Sequence, residues 1–422
     1  MMRHVMITLA GLSLLAMAGF AGAADAPSDQ VFPVTFEGTA KIEASNLRNK
    51  KLRAGNKREN ELELEPLLRF DVRVMPDSPV YGRAELEWKR QTKRESGERP
   101  EKQTRLEVNQ AYIGLKNDLI PNTRVKMGRW LYRDEREWLV DENLDGAWIH
   151  WRKAAWSAEA FGGRVNFWQK DLMDSTTRNT QSVNIMGLLA RYQVAKRWRV
   201  GAYGVVQNNV RDDSFRQGNF GIRSHNARHD RLQHWLEIGI AEGNHQGESF
   251  HGYALDMGGT VIFPVENLKP RLTLGYAVGS EKYRQTGLQS NEAKFGGETK
   301  FKIYGETLNP NLANLQVLTL GLGASLGETS TLDLIYHDYS QFRLGALSED
   351  DMELRPRYDR QNGRRLGYGL DLIYGWEPLD NLKLESKLGT FNPSSRFAAG
   401  SKSSSPRSQP AYSAAVDLEV SF

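Results

Sequence analysis

The stretch Ala415-Val416-Asp417-Leu418-Glu419-Val420-Ser421-Phe422 ends the chain on strict alternation, with Val416, Leu418, Val420 and Phe422 opposing Asp417, Glu419 and Ser421. A period of two sends successive side chains to opposite faces of a strand. One wholly apolar row closing on an aromatic is how the last strand of an outer-membrane barrel commonly finishes, with lipid on one face and water on the other. A soluble sandwich can end on such a strand too, so the rest of the chain has to decide.

At the other end, Arg3 precedes an apolar run from Val5 to Phe20, followed by Ala21-Gly22-Ala23-Ala24 and the polar Asp25-Ala26-Pro27. That layout is a secretory signal peptide cut near Ala23 or Ala24. Residues 1–24 are therefore expected to be removed, leaving 25–422 as one barrel domain. No later run reaches the ~18 consecutive apolar residues that a membrane-crossing helix needs. The chain has no cysteine, which excludes disulfide stapling and metal–thiolate sites. It combines 39 glycines, 16 Phe, 15 Tyr and 10 Trp with 26% charged residues. A barrel reconciles these: lipid takes alternate apolar residues, a wet lumen takes the charges, and aromatic girdles mark both interfaces.

The alternation recurs along the chain. Leu68, Phe70, Val72 and Val74 oppose Arg69, Asp71 and Arg73; after the turn Pro76-Asp77-Ser78-Pro79, Gly82, Ala84, Leu86 and Trp88 oppose Arg83, Glu85, Glu87 and Lys89. Leu366, Tyr368, Leu370, Leu372 and Tyr374 oppose Arg365 and Asp371, and beyond Glu377-Pro378-Leu379-Asp380 the pattern returns with Leu382 and Leu384 against Lys383, Glu385 and Lys387. Long polar segments at 47–60, 90–104, 131–143, 165–181, 209–230, 341–363 and 392–410 alternate with tight turns near 76–79, 117–122, 153–155, 193–198 and 243–247. In bacterial barrels short turns face the periplasm and long loops face outward, which puts both termini in the periplasm. The expected fold is an all-β, transmembrane antiparallel barrel of about 18 strands. The stretch from Phe263 to Leu315 breaks the alternation and leaves that count open by one strand.

Inward-facing polar rows would line the lumen with Arg69, Arg73, Arg83, Lys89, Arg365 and Lys387 and with Asp71, Glu85, Glu87, Asp371, Asp417 and Glu419. This field is mixed. The formal charge is +4 and falls by one when Arg3 leaves with the signal, too little to define an anion pore by itself. The densest cluster runs from Met127 to Asp145 and holds Arg129, Arg133 and Arg136 among carboxylates, Trp130, Tyr132 and Trp138. Guanidinium forks bind carboxylates bidentately, and flat aromatics stack on sugar faces. A salt-bridged loop folded over the barrel mouth would have the same composition.

Several long words in the chain resemble the alginate export family of outer-membrane proteins. They are Tyr283-Arg284-Gln285-Thr286-Gly287-Leu288-Gln289-Ser290-Asn291, Tyr304-Gly305-Glu306-Thr307-Leu308-Asn309-Pro310, Asn314-Leu315-Gln316-Val317-Leu318-Thr319-Leu320-Gly321 and Thr331-Leu332-Asp333-Leu334-Ile335-Tyr336-His337, with a similar Gly-Arg segment from Gly128 to Asp145. The resemblance implies an 18-stranded barrel with a narrow, arginine-lined lumen that passes an anionic exopolysaccharide, alginate or a related uronate polymer. It carries a conducting role to Arg129, within the matching Gly-Arg pair. Arg69, Arg73 and Arg365 join it from the inward-facing rows, and Arg133 and Arg136 from the cluster. The chain is short for the family, which implies trimmed loops or plugging segments.

The expected surroundings are outer-membrane lipid and lipopolysaccharide, the barrel-assembly machinery that reads the last strand, and periplasmic proteins of a secretion complex. No catalytic residue, cofactor, metal or nucleic-acid partner is expected. Two rivals stand beside the exporter. His225, His229, His234 and Asp230 near Ser214 and Ser224 could suggest a hydrolase, but no G-x-S-x-G, H-E-x-x-H or P-loop pattern accompanies them. With Arg211, Asp212, Asp213, Arg216, Arg223, Arg228 and Arg231 around them, a surface loop touching lipopolysaccharide phosphates is the simpler reading. The second rival is a general or anion-selective porin for small solutes, which shares the whole barrel argument.

Overall fold

The computed structural model describes residues 33–53, 58–117, 119–167, 171–174, 183–209, 215–226, 231–245, 247–345, 352–356, 363–397 and 408–422. Strands β1 (Val34–Arg48), β2 (Asn60–Val74), β3 (Val80–Glu95), β4 (Glu101–Leu115), β5 (Thr123–Arg133), β6 (Asp141–Lys153), β7 (Trp156–Val165), β8 (Val183–Ala195), β9 (Trp198–Asn209) and β10 (Arg216–Asn226) form its first half. The second half holds β11 (Leu232–His245), β12 (Glu248–Ile262), β13 (Arg271–Gly279), the short β14 (Glu292–Ala293) and β15 (Phe301–Lys302), then β16 (Leu315–Ser325), β17 (Ser330–Gln341), β18 (Arg365–Leu379), β19 (Leu382–Pro393) and β20 (Ala411–Ser421). All but β14 and β15 join one 18-stranded antiparallel sheet. It closes where β20 pairs with β1, from Thr39↔Ser421 to Arg48↔Tyr412. Closure leaves no first or last strand unpaired, the condition for a sheet to cross lipid. No helix among the described residues is long and apolar enough to cross a membrane.

The two rows of each strand separate as alternation requires. Phe70, Ile113, Met127, Met186, Leu188, Leu274, Leu322, Leu388 and Val416 are exposed on the outside. Asp71, Glu85, Glu87, Glu107, Glu159, Glu237, Asp256 and Asp371 are buried on the inside. Outward aromatics gather in two belts: Trp151, Trp156, Tyr192 and Trp198 beside the tight turns, and Tyr253, Tyr276, Tyr368 and Tyr412 beside the long connections. Such belts sit at the two lipid–water interfaces.

Two departures from the sequence reading share one cause. The segment 209–230, expected as a single loop, contains β10. Gly218 and Ser224 on its outward row dilute its alternation. Because a strand was missed there, the tight turn at 243–247 falls on the long-loop end of the barrel, between β11 and β12, and not on the periplasmic end. The broken pattern from Phe263 to Leu315 has a different explanation: β13 is regular, and 280–314 leaves the wall for the lumen.

Phe422 continues the outward row of β20. Its backbone exchanges hydrogen bonds with Gly38 (N→O 2.9 Å and, in return, 2.7 Å), and its ring covers Gly38, where a Cβ would come within 2.3 Å of it. The side chain is 71% exposed toward lipid. Replacement of Phe422 by Asp is therefore expected to reduce the heat-modifiable barrel recovered from outer membranes severalfold, while channels that assemble conduct as the parent does. Unchanged recovery in cell fractions would contradict this.

Candidate functional site: the lumen and its inserted segments

Two connections fold into the barrel and meet. The turn between β5 and β6 carries Trp138, Leu139 and Val140, all buried. The 280–314 segment carries the β14–β15 ribbon and buries Phe295, Phe301, Ile303, Tyr304 and Leu308. Val140 and Leu288 form a parallel bridge, Asp141 N donates to Leu288 O (2.7 Å), and Asn291 N donates to Glu137 O (3.0 Å). Glu137 also takes Ser290 Oγ and Lys300 Nζ. Trp138 Nε1 donates to Tyr304 OH (2.9 Å), and Tyr304 OH donates to Asp256 on the wall (2.8 Å).

Glycine makes the room. A Cβ at Gly252 would stand 2.2 Å from Tyr283 N, and one at Gly375 would stand 2.1 Å from Thr299 Oγ1. These inward positions on β12 and β18 let the insert lie against bare backbone.

The inserted turn is held by charge. Arg223 on β10 reaches Asp134 (2.9 Å), Glu135 (3.0 Å) and Glu237 (3.0 Å). Burial alone would raise the Glu135 carboxyl, but Arg191 first, then Arg223, His225 and Arg199, hold it down to about 2. It therefore stays ionised at physiological pH.

The six arginines of the sequence reading divide four ways. Arg69 and Arg73 stand on the inward row of β2; Arg69 pairs with Glu87 (2.7 Å), and Arg73 with Glu37 (2.7 Å) and Asp71 (3.0 Å). Arg133 and Arg136 flank the inserted turn, Arg133 on Asp141 and Arg136 on Asp256 (2.8 Å) and over the Trp235 ring (4.6 Å).

Arg129, expected at the lumen surface, pairs in register with Ala111 on the outward row yet is only 3% exposed. It is fixed by Asp145 (2.8 Å), the Asn109 carbonyl (3.1 Å) and Asn166 (3.3 Å). Arg365 also departs from its expected inward position. The register shifts between Tyr339 and Ser340, so Arg365 pairs with Ser340 outside while Leu366 turns inward and is buried. Its guanidinium lies on Asp338 (2.6 Å) beside the outer aromatic belt.

The histidines are also resolved by the strands. Ser224 Oγ lies 3.0 Å from His234 Nε2, but both stand on the outward row with Trp198, whose Nε1 donates to Ser224 (2.9 Å). His225 faces inward toward Glu135 (3.4 Å), and Arg223 is buried in the lumen, neither being in a surface loop. His229, Asp230, Arg228, Arg211, Asp212, Asp213 and Ser214 lie outside the described residues. Among the described residues no group of acidic or histidine side chains could hold a metal.

Sequence reading passed over one inward row that matters. In Thr123-Arg124-Val125-Lys126-Met127 the two cations Arg124 and Lys126 face the lumen at the end of the tight turns, and Arg152 on β6 stands nearby. Neither Lys126 nor Arg124 has a carboxylate within ion-pair distance among the described residues. Alternation with the outward Val125 and Met127 was the signal available.

A model of the alginate export family matches residues 32–408. The chain belongs to the alginate export family. A search of curated proteins found no match. The solved structures to which the barrel is similar include three Pseudomonas aeruginosa proteins. OccK3 (OpdO) aligns at TM-score 0.57 and 10% identity, over 92% of this chain and 95% of that one. The outer membrane protein OpdK aligns at 0.55 and 12%, over 92% and 99%. OprD aligns at 0.55 and 10%, over 93% and 96%. At such identity the likeness shows the fold. With the family assignment, the barrel is an outer-membrane channel for polysaccharide or solute transport, not an enzyme, with both termini in the periplasm.

Proposed function

We propose that this alginate export family channel passes an anionic exopolysaccharide, alginate or a related uronate polymer, passively outward. The observation that carries the reading is the basic row at the periplasmic mouth that has no carboxylate partner among the described residues: Arg124, Lys126 and Arg152 face the lumen there, and Arg152 meets Gln193 (3.3 Å). A polyanion approaching from the periplasm meets these cations first. Further in, the wall of β1 to β4 offers cations already shared with carboxylates, such as Arg69, Arg73 and Arg83, which reaches Asp71 (2.9 Å) and Glu85 (2.8 Å). Several weak sites in series permit sliding, where one tight site would stop it. Within this proposal residues 1–24 are the export signal, the assembly machinery reads β20, lipopolysaccharide meets the outer belt, and periplasmic secretion proteins deliver the polymer to the basic mouth.

In planar bilayers the parent is expected to show a modest anion preference that fades as salt rises, with block by added alginate. A second reading, a general or anion-selective porin for small solutes, is favoured by the neutralisation of Arg69, Arg73 and Arg83. Current indifferent to the polymer and without ion preference would replace the exporter with a nonselective porin.

A further inference from the structure

The periplasmic mouth holds an aromatic strip beside the cations that have no carboxylate partner among the described residues. Tyr81 on β3 lies over Gly114, where a Cβ would come within 2.1 Å of its ring, and meets Tyr112 edge-on at 6.2 Å. Lys126 on β5 sits between two rings, 4.9 Å from the Tyr112 centroid and 5.4 Å from that of Trp148 on β6. Trp148 stacks with His150 (5.6 Å, 10°), and its Nε1 donates to Glu159 (3.2 Å). Glu159 is itself committed to Arg191 (2.8 Å) and to the Tyr132 hydroxyl (3.0 Å). It fixes the indole and lies beyond ion-pair distance of Lys126.

An ammonium held against ring faces with no carboxylate keeps most of its charge available to a ligand. The ridge around it is flat, apolar and rigid, and Lys126, Trp148 and Tyr81 are only half-buried. A free small anion would use the cation and gain nothing from the rings; a neutral sugar would use the rings alone. A pyranose bearing a carboxylate satisfies both.

We infer that Tyr81, Tyr112, Lys126 and Trp148 form a receiving subsite for a single acidic sugar residue of the polymer. The sugar carboxylate rests on Lys126, and its C–H face lies against the half-exposed aromatic surface of Trp148 and Tyr81. The subsite rests on the polysaccharide reading above and adds where the chain is first gripped. Arg129, buried in the wall, takes no part.

The test is block of single-channel current by oligouronate added on the tight-turn side, against a neutral maltooligosaccharide of equal length and against acetate. The parent should be blocked best by the oligouronate. In Lys126→Gln the blocking concentration of the oligouronate should rise about tenfold, with the neutral oligomer unaffected, and Lys126→Arg should behave as the parent. Trp148→Leu should weaken both oligomers and leave acetate unchanged, and it serves if the Lys126 variant fails to migrate as a folded barrel. A parent blocked by oligouronate, with Lys126→Gln or Trp148→Leu indistinguishable from it, overturns the subsite and leaves the export reading standing. A parent that no acidic oligomer blocks overturns both.

Discussion

Excising residues 281–313 and joining Ser280 to Asn314 through a short hairpin turn should raise single-channel conductance by about an order of magnitude, the difference between a filled lumen and the water-filled interior of a large barrel. The ends of the insert make the excision feasible: Asn314 N already donates to Ser280 O (3.1 Å), and Gly279 pairs with Leu315 across β13 and β16. A hairpin connection between antiparallel neighbours is all the wall requires. The wall keeps its own ladder bonds, so the barrel should stay closed, although the apolar faces of Trp235, Ile335 and Tyr339 become wet. Trp235 now stacks on Phe295 (5.2 Å), and Tyr339 OH donates to the Tyr304 carbonyl (2.9 Å). Conductance equal to the parent's, in a variant that migrates as a folded barrel, would show that the insert does not occupy the conducting path.

The barrel was legible because lipid and water impose a period of two, and strands such as β2, β3 and β20 obey it nearly without exception. Where the lumen is filled with protein, the inward row no longer needs to be polar, and the pattern fades. Ile373 and Ile335 face inward and are apolar because the insert covers them, and Gly252, Gly275 and Gly375 are bare because it lies against them or their neighbours. The insert also binds β10, whose inward Asn219 and Gln217 bond the carbonyls of Arg284 (3.0 Å) and Gln285 (2.8 Å), but what hid that strand was Gly218 and Ser224 on its outward row. The site arginines were less legible for another reason. Alternation assigns a face only while register holds, and a single shift near Ser340 put Arg365 outside. Nothing local in Gly128-Arg129 announces that β5 parts from β4 there.

Arg129→Glu should all but abolish folded protein, where a lumen-lining arginine would merely have lost flux. β4 and β5 pair only from Ala111↔Arg129 to Leu115↔Val125, while β5 and β6 pair along their whole length from Thr123↔Trp151 to Arg133↔Asp141. Beyond Arg129, β5 leaves β4 to carry the inserted turn. The freed edge of β4 is taken up by the connection after β7, with Leu172 N donating to Leu106 O (2.7 Å) and Leu106 N to Asp171 Oδ1 (3.2 Å). Arg129 sits at that fork and ties β4 through Asn109, β6 through Asp145 and the connection after β7 through Asn166.

Removing one partner from a buried pair costs ~3–5 kcal/mol, and a glutamate adds repulsion against Asp145 and the Asn109 carbonyl. Heat-modifiable migration should therefore show little folded Arg129→Glu. Exchanging the charges in Arg129→Asp with Asp145→Arg should recover part of it, because the pair is restored while the hydrogen bonds to Asn109 and Asn166 are not. A single variant that assembles in parental amounts and differs only in anion selectivity would return Arg129 to the conducting surface and remove the fork from the account of how this barrel wall is held.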